Sequence, residues 1–339
     1  MRIFLRGLCV LSLPMLCVTA SAVEITPEKI KITKPVEFNT PEADAILAEL
    51  KVFPAENAWN TKISDWPVAK NSQALIDSIG GDKPMRYNPD MAFILVPPSQ
   101  PKVEVELLEM AEESDKGPYP VPDNMPIEGW PVLYEREEKK ITLDQLQQRD
   151  MEDGGDHHAI VVDPVNKKLY EFFKIGKVDG KWKADGAAIF DLTSNKLRPA
   201  NWTSADAAGL PMFPAMVRYD ELQRGKIEHA LRVTIENSRK AHVYPATHDA
   251  GKTDDVNVPR MGERLRLRKD FDTSNYSPEV ETILVALQEY GMFVADNGID
   301  WAISVTPDPR IPALHEELRK IKGSDFEVVS PPAGYKKPR

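Results

Sequence analysis

Several stretches of the chain bring together side chains able to move protons or to hold a sugar. The first is Asp156-His157-His158. Neighbouring residues of a strand point to opposite faces, so the two imidazoles do not easily share a metal. His158 beside Asp156 suits acid–base work near neutral pH, and the same residues suit a solvated strand entrance after Gly154-Gly155. Glu171 shares a strand face with Leu169 and Phe173. If that face points inward, burial raises its pKa and makes it a general acid. If Tyr170 and Phe172 point inward instead, Glu171 is exposed; both faces are apolar, and the expectation leans to exposure.

The loop from Asp191 to Leu210 carries Asp191, Asn195, Arg198, Trp202, Ser204 and Asp206. An exposed Trp202 would stack on the apolar face of a sugar ring while Asn195 and Arg198 bond its hydroxyls. The competing reading is a buried Trp202 pinning the loop, with Arg198 in a structural ion pair. Ser204 suits the cap of a short turn closed by Gly209. His229 lies on the inward face of the run Ile227–Ile235, as a hydrogen-bonded core histidine or a cleft-wall base. His248 follows the next strand, and pairing of those strands would place both histidines in one cleft. Asp296-Asn297-Gly298 ends an apolar run as a hairpin signal. It leaves Asp296 for acid–base work and Asn297 for a substrate hydroxyl. The catalytic candidates are therefore Glu171, Asp191, Asp206, His158, His229, His248 and Asp296. The binding candidates are Trp202, Arg198, Asn195 and Asn297. No metal site and no cofactor are expected. A metal-dependent alternative would draw on His158, His229, His248 and Asp296, without a recognisable ligand spacing. No G-x-S-x-G elbow, H-E-x-x-H or P-loop occurs.

The elements needed to position these groups read as strands. About a dozen short runs, among them Ala92–Val96, Ala159–Val162, Leu169–Ile175, Ala187–Leu192, Arg264–Arg268, Met292–Ala295, Trp301–Val305 and Phe326–Val329, alternate with Pro, Gly, Asn and Asp. The spacing predicts a mainly β chain, a single sandwich or jelly-roll-like domain with a few short helices. Asp163-Pro164-Val165-Asn166 predicts a hairpin turn. The clearest helix is Pro278–Tyr290, with Ser277 before it and Gly291 after it. Further helices are expected near Pro41–Leu50, Leu143–Arg149 and Ala313–Ile321. Residues 23–50 read as a leader, 51–330 as the domain, and 331–339 as a flexible tail.

Residues 1–22 have the form of an export signal: Arg2 and Arg6, an apolar Leu8–Val18 run, then Ala20-Ser21-Ala22. Cleavage would remove both cysteines, Cys9 and Cys17, and lower the net charge of −10 by two. The expected location is secreted or periplasmic, with no transmembrane anchor after cleavage. The acidic balance argues against a nucleic-acid partner.

The blocks AIFDLTSNKLRPANWTSADAAGLP, VRYDELQRGKIEHALRVT, PRMGERLRLR, ALQEYGMFVADNG and WAISVTPDPR, with FPAENAWNTKIS and DHHAIVVDPVNKKLYEFF, resemble a family of uncharacterised secreted bacterial proteins. The resemblance spans roughly Val52 to Arg310 and implies export and one domain; it supplies no catalytic residues. The family pattern has Asp-Arg-His-Ala where this chain has Asp156-His157-His158-Ala159, and Gly where it has Asn201.

Export, a β-rich core, and carboxylates among aromatics point to an exported carbohydrate-active protein. As a glycoside hydrolase it would use two of Glu171, Asp191, Asp206 and Asp296. As a polysaccharide lyase it would use a histidine base, with Arg198 neutralising a uronate. The alternative is a non-catalytic glycan-binding or cell-envelope protein. In each case the partner is a polysaccharide or envelope glycan.

Overall fold

The computed structural model describes residues 30–134, 140–148 and 155–338. Residues 1–22, where an export signal is expected, and most of the charged stretch Glu135–Gly155 lie outside the described residues. Among the described residues, strand (24%) outnumbers helix (18%), so the described structure is predominantly β.

Two large sheets carry the fold. The first runs in the order Val36–Glu37, Phe93–Leu95, Ala159–Asp163, Lys168–Phe173, Gly186–Asp191. The second runs Phe326–Val329, Arg264–Leu267, Met292–Asn297, Leu231–Ile235, Ala302–Val305, Arg86–Pro89. Within these two sheets three of the described pairings are parallel: Phe93–Leu95 with Ala159–Asp163, Leu231–Ile235 with Met292–Asn297, and Ala302–Val305 with Arg86–Pro89. The pairing supports mixed sheets and goes no further toward a sandwich or jelly roll, whose sheets are antiparallel.

The hairpin 159–173 forms as expected, because the Asp163 carboxylate accepts the backbone N–H of Val165 and Asn166 and so closes the turn. The helix Pro278–Glu289 also forms, burying Val280, Ile283, Leu284 and Leu287 against the second sheet. Gly291 stops it at φ +66, where a Cβ would stand 2.2 Å from the Leu265 carbonyl oxygen. The expected hairpin at Asn297-Gly298 does not form. The strands on either side of it both pair with Leu231–Ile235, which lies between them.

Residues 30–50 are integral to the fold rather than a leader ahead of it. Val36, Phe38, Ala43, Ile46 and Leu47 are buried in the same apolar cluster as Phe93, Leu95, Ile160 and Leu169. Thr40 caps the helix Pro41–Glu49 by accepting the Ala43 N–H. In the tail, the Tyr335 ring packs edge-on against Trp66 at 5.0 Å.

Both faces of the first sheet are covered. Leu95, Ile160, Val162 and Leu169 pack into one cluster, and Ile94, Val161, Tyr170 and Phe172 into another. The segment 203–217 joins the two large sheets. Ala205, Met212, Phe213 and Met216 pack with the first sheet, while Ala208, Leu210, Ala215 and Val217 pack with the second. No described helix is long and apolar enough to cross a membrane.

Candidate functional site

Leu231–Ile235 is paired along both edges and buried at every residue, so both of its faces are covered. Leu231, Val233 and Ile235 fill the apolar core, which leaves Arg232 to be satisfied on the other face. Its guanidinium meets the carboxylate of Asp206 side by side, Nη2 to Oδ1 at 2.7 Å and Nε to Oδ2 at 2.9 Å. Nη1 donates to the Ser304 hydroxyl at 2.7 Å. This fork geometry is the strong form of the interaction, and it holds Arg232 charged despite full burial. Asp206 is fixed by its own turn. Its N–H donates to the Ser204 hydroxyl, and Gly209 N–H donates to its carbonyl oxygen. Gly209 sits at φ +72, with the Thr247 hydroxyl 2.1 Å from where a Cβ would be.

Asp296 comes from the adjoining strand, where a bulge opposite Val233/Thr234 re-aims the ladder. One carboxylate oxygen lies 3.7 Å from Arg232 Nη2, and the side chain keeps about a quarter of its surface exposed at 24%. Partial burial pushes its pKa up to about 8, helped by the negative charge of Asp206 and, more weakly, of Asp156; Arg232 and the Asn297 N–H oppose the rise. Asn297 Oδ1 accepts from the Ser238 hydroxyl at 3.0 Å.

Glu171 is fully buried, against the exposed expectation: its face, shared with Leu169, turns toward segment 203–217. Its carboxyl accepts the N–H groups of Met212 and Phe213 at 2.8–3.0 Å. Burial still outweighs these bonds and lifts its pKa to about 8. Asp90 is a third raised carboxyl. It is buried, faces the charge of Glu128, and has an Oδ1 without a hydrogen-bond partner among the described residues. The Glu128 carboxylate accepts the backbone N–H of His158 at 3.3 Å, while the buried His158 ring has Nδ1 3.4 Å from the Phe172 carbonyl oxygen and leans on Phe173 at 5.6 Å. Arg232 pairs with Asp206, and burial favours the protonated form of Asp90, Glu171 and Asp296.

The other candidates fall elsewhere. His248 is half-buried, with Nδ1 2.8 Å from the carbonyl oxygen of Ala207, next to Asp206. His229 is not in its company: its ring bridges Glu221 and the Ala230 carbonyl oxygen, both at 2.8 Å, beside the Arg218–Glu221 pair. Arg198 is buried and fully engaged, paired with Asp115 and donating to the carbonyl oxygens of Thr203 and Glu113. Its guanidinium lies 5.6 Å over the ring of Trp202, which is half-buried, so Arg198 is in the structural ion pair while Trp202 is neither fully exposed nor buried. Asn195 is buried between Asn57 and Glu56. Asp191 stays at the surface, tied to Lys168 and Thr193, and its pKa falls to about 2 through the Thr193 hydrogen bonds. Among the described residues no group of three or more His, Cys, Asp or Glu is placed to hold a metal ion.

The structure therefore gathers Asp206, Asp296 and Glu171, with His158 and His248 at the margins. It adds Arg232, Ser304, Asp90 and Glu128, which the sequence reading passed over. The available signal for Arg232 was its place on a strand whose opposite face is wholly apolar. No protein-family model, curated protein or solved structure matches this chain.

Proposed function

We propose that the chain is an exported hydrolase acting on a neutral polysaccharide, with Asp296 as the general acid. The carrying observation is the placement of Asp296, partly open to solvent and 3.7 Å from Arg232, beside the negative charges of Asp206 and Asp156; burial and these charges raise its pKa to about 8. Glycosidic bond cleavage needs such an acid to protonate the leaving oxygen, and a second carboxylate to activate water. Asp156, exposed and near enough for its charge to raise Asp296, is assigned that second role.

Hydrolysis is favoured over elimination by the fate of the arginines. A lyase needs a cation to neutralise a uronate, whereas Arg198 is spent on Asp115 and Arg232 on Asp206. The acidic surroundings of Asp296 likewise suit a neutral chain better than a polyanion. The export signal and the resemblance to secreted proteins support a secreted or periplasmic setting.

The test is an assay on neutral and acidic polysaccharides, following reducing ends and unsaturated-product absorbance together. Reducing ends without unsaturation, reduced about 100-fold or more in Asp296→Asn, are expected for a general acid. Unsaturated products would replace this reading with a lyase. Retention on a glycan without any product would replace it with a binding protein.

A further inference from the structure

Arg264 and Arg266 stand two residues apart on one strand and reach the same loop. Arg264 donates to the carbonyl oxygens of Ala58 and Thr61, and Arg266 to those of Ile63, Ser64 and Trp66. Their charges are treated differently. Arg266 is paired with the carboxylate of Glu327. Arg264, equally buried, has carbonyl oxygens of Ala58, Thr61 and Tyr290 and the face of the Phe293 ring at 4.0 Å. Among the described residues no carboxylate is in ion-pair contact with it. A buried cation without a counter-charge is costly, and burial drags its pKa down to about 9.

Arg264 lines a cavity of about 100 Å³. Trp66, Tyr244, Phe293 and Tyr335 supply aromatic walls, and Lys337 lies 5.2 Å over the Tyr244 ring. One lining acid, Glu263, is already closed by Arg260 at 2.8 Å. The cavity thus carries surplus positive charge in a chain of net charge −10. Burial keeps the Tyr244 phenol protonated, available as a donor. Nη1 of Arg264 spends one hydrogen on Ala58 and has a second to give.

We propose that this cavity is a binding site for a small ring-bearing organic carboxylate. The ring packs against the aromatic walls, and the carboxylate supplies the counter-charge that Arg264 lacks, with Lys337 closing over it. The volume suits one six-membered ring with its acid group. The aromatic lining gives a bare inorganic anion little to bind.

The test is calorimetric titration of the purified chain with benzoate, against benzyl alcohol and sulfate as controls. Saturable benzoate binding is expected at a Kd of about 1 mM or tighter, with both controls at least about tenfold weaker. Lys337→Gln, an exposed tail position, should weaken benzoate about three- to tenfold, and Arg264→Met should abolish binding. Should Arg264→Met fail to fold, the Lys337→Gln titration decides alone. Absence of saturable benzoate binding, equal binding of benzyl alcohol or sulfate, or an unchanged Kd in Lys337→Gln would each overturn the proposal. None of these readouts involves glycan turnover, so the site stands or falls separately from the hydrolase reading.

Discussion

Arg232 grips Asp206 through two parallel hydrogen bonds of 2.7 and 2.9 Å, with the arginine 2% and the aspartate 1% exposed. The pair ties the middle strand of the second sheet to the segment wedged between the sheets. It also consumes the positive charge of the cluster, and so sets the protonation of the carboxyls around it.

Removing one partner of this pair strands a buried charge. Arg232→Met should destabilise the fold by about 3–5 kcal/mol, whereas Arg232→Met combined with Asp206→Leu should cost clearly less than the two single changes added. Urea unfolding of the three variants measures this directly. Simple additivity would mean that the two groups do not depend on each other.

The raised carboxyl of Glu171 makes stability depend on pH in a definite direction. In the unfolded chain it ionises near its ordinary value of 4.5, and in the folded chain near 8. Between those limits the folded state holds the extra proton, so stability falls as pH rises, by up to about 1.4 kcal/mol per pH unit for this group. Glu171→Gln cannot titrate and should flatten the slope between pH 5 and 8, where melting temperatures are compared (~pH 5 to ~8). An identical slope in wild type and variant would mean that Glu171 ionises normally in the fold.

Asp296 should leave its mark on the pH–rate profile. A general acid must be protonated, so turnover should decline as pH rises through about 8, the value to which burial and Asp206 lift this group. Removing the negative neighbour with Asp206→Asn should move that limb to lower pH, provided the variant remains folded by circular dichroism. A limb that stays put would show that another group sets it.

Gly209 and Gly180 separate steric from conformational cost. Both have positive φ, at +72 and +75, but a Cβ at Gly209 meets Thr247 Oγ1 at 2.1 Å and the Trp202 carbonyl oxygen at 2.6 Å, while nothing lies within 4 Å at Gly180. Gly180→Ala should cost about 1 kcal/mol and Gly209→Ala at least twice that. Thermal melts give the comparison; equal losses would mean that the 203–210 turn yields freely.

What the sequence made legible follows from where the determining forces lie. The 159–173 hairpin and the helix Pro278–Glu289 are written locally, in the Asp163 turn and in the proline-to-glycine bracket of the helix. Asn297-Gly298 carries a hairpin signal that the fold overrides, because local turn chemistry does not encode the distant strand Leu231–Ile235 that inserts between its neighbours. The exposure of Glu171 was misjudged for a related reason. Both faces of its sheet are covered, so neither orientation would have exposed it. Arg232 was overlooked because its acid partner is 26 residues away and belongs to a loop. One difference from the pattern that the sequence resembles fits the local backbone. Asn201, standing in place of Gly, has φ +66, a backbone region that Asn tolerates better than most residues.

The short strand Val36–Glu37 ends the first sheet by pairing with Leu95 and Ile94, and the helix after it is pinned when Asp44 meets Arg310 at 2.7 Å across 266 residues. Without that segment the ladder groups of Phe93–Leu95 would stand open along three wholly apolar residues, a template for another chain to join. The N-terminal segment therefore closes this edge of the sheet. A recombinant fragment begun after Leu50 should form oligomers or precipitate, even with every residue of the carboxylate cluster intact.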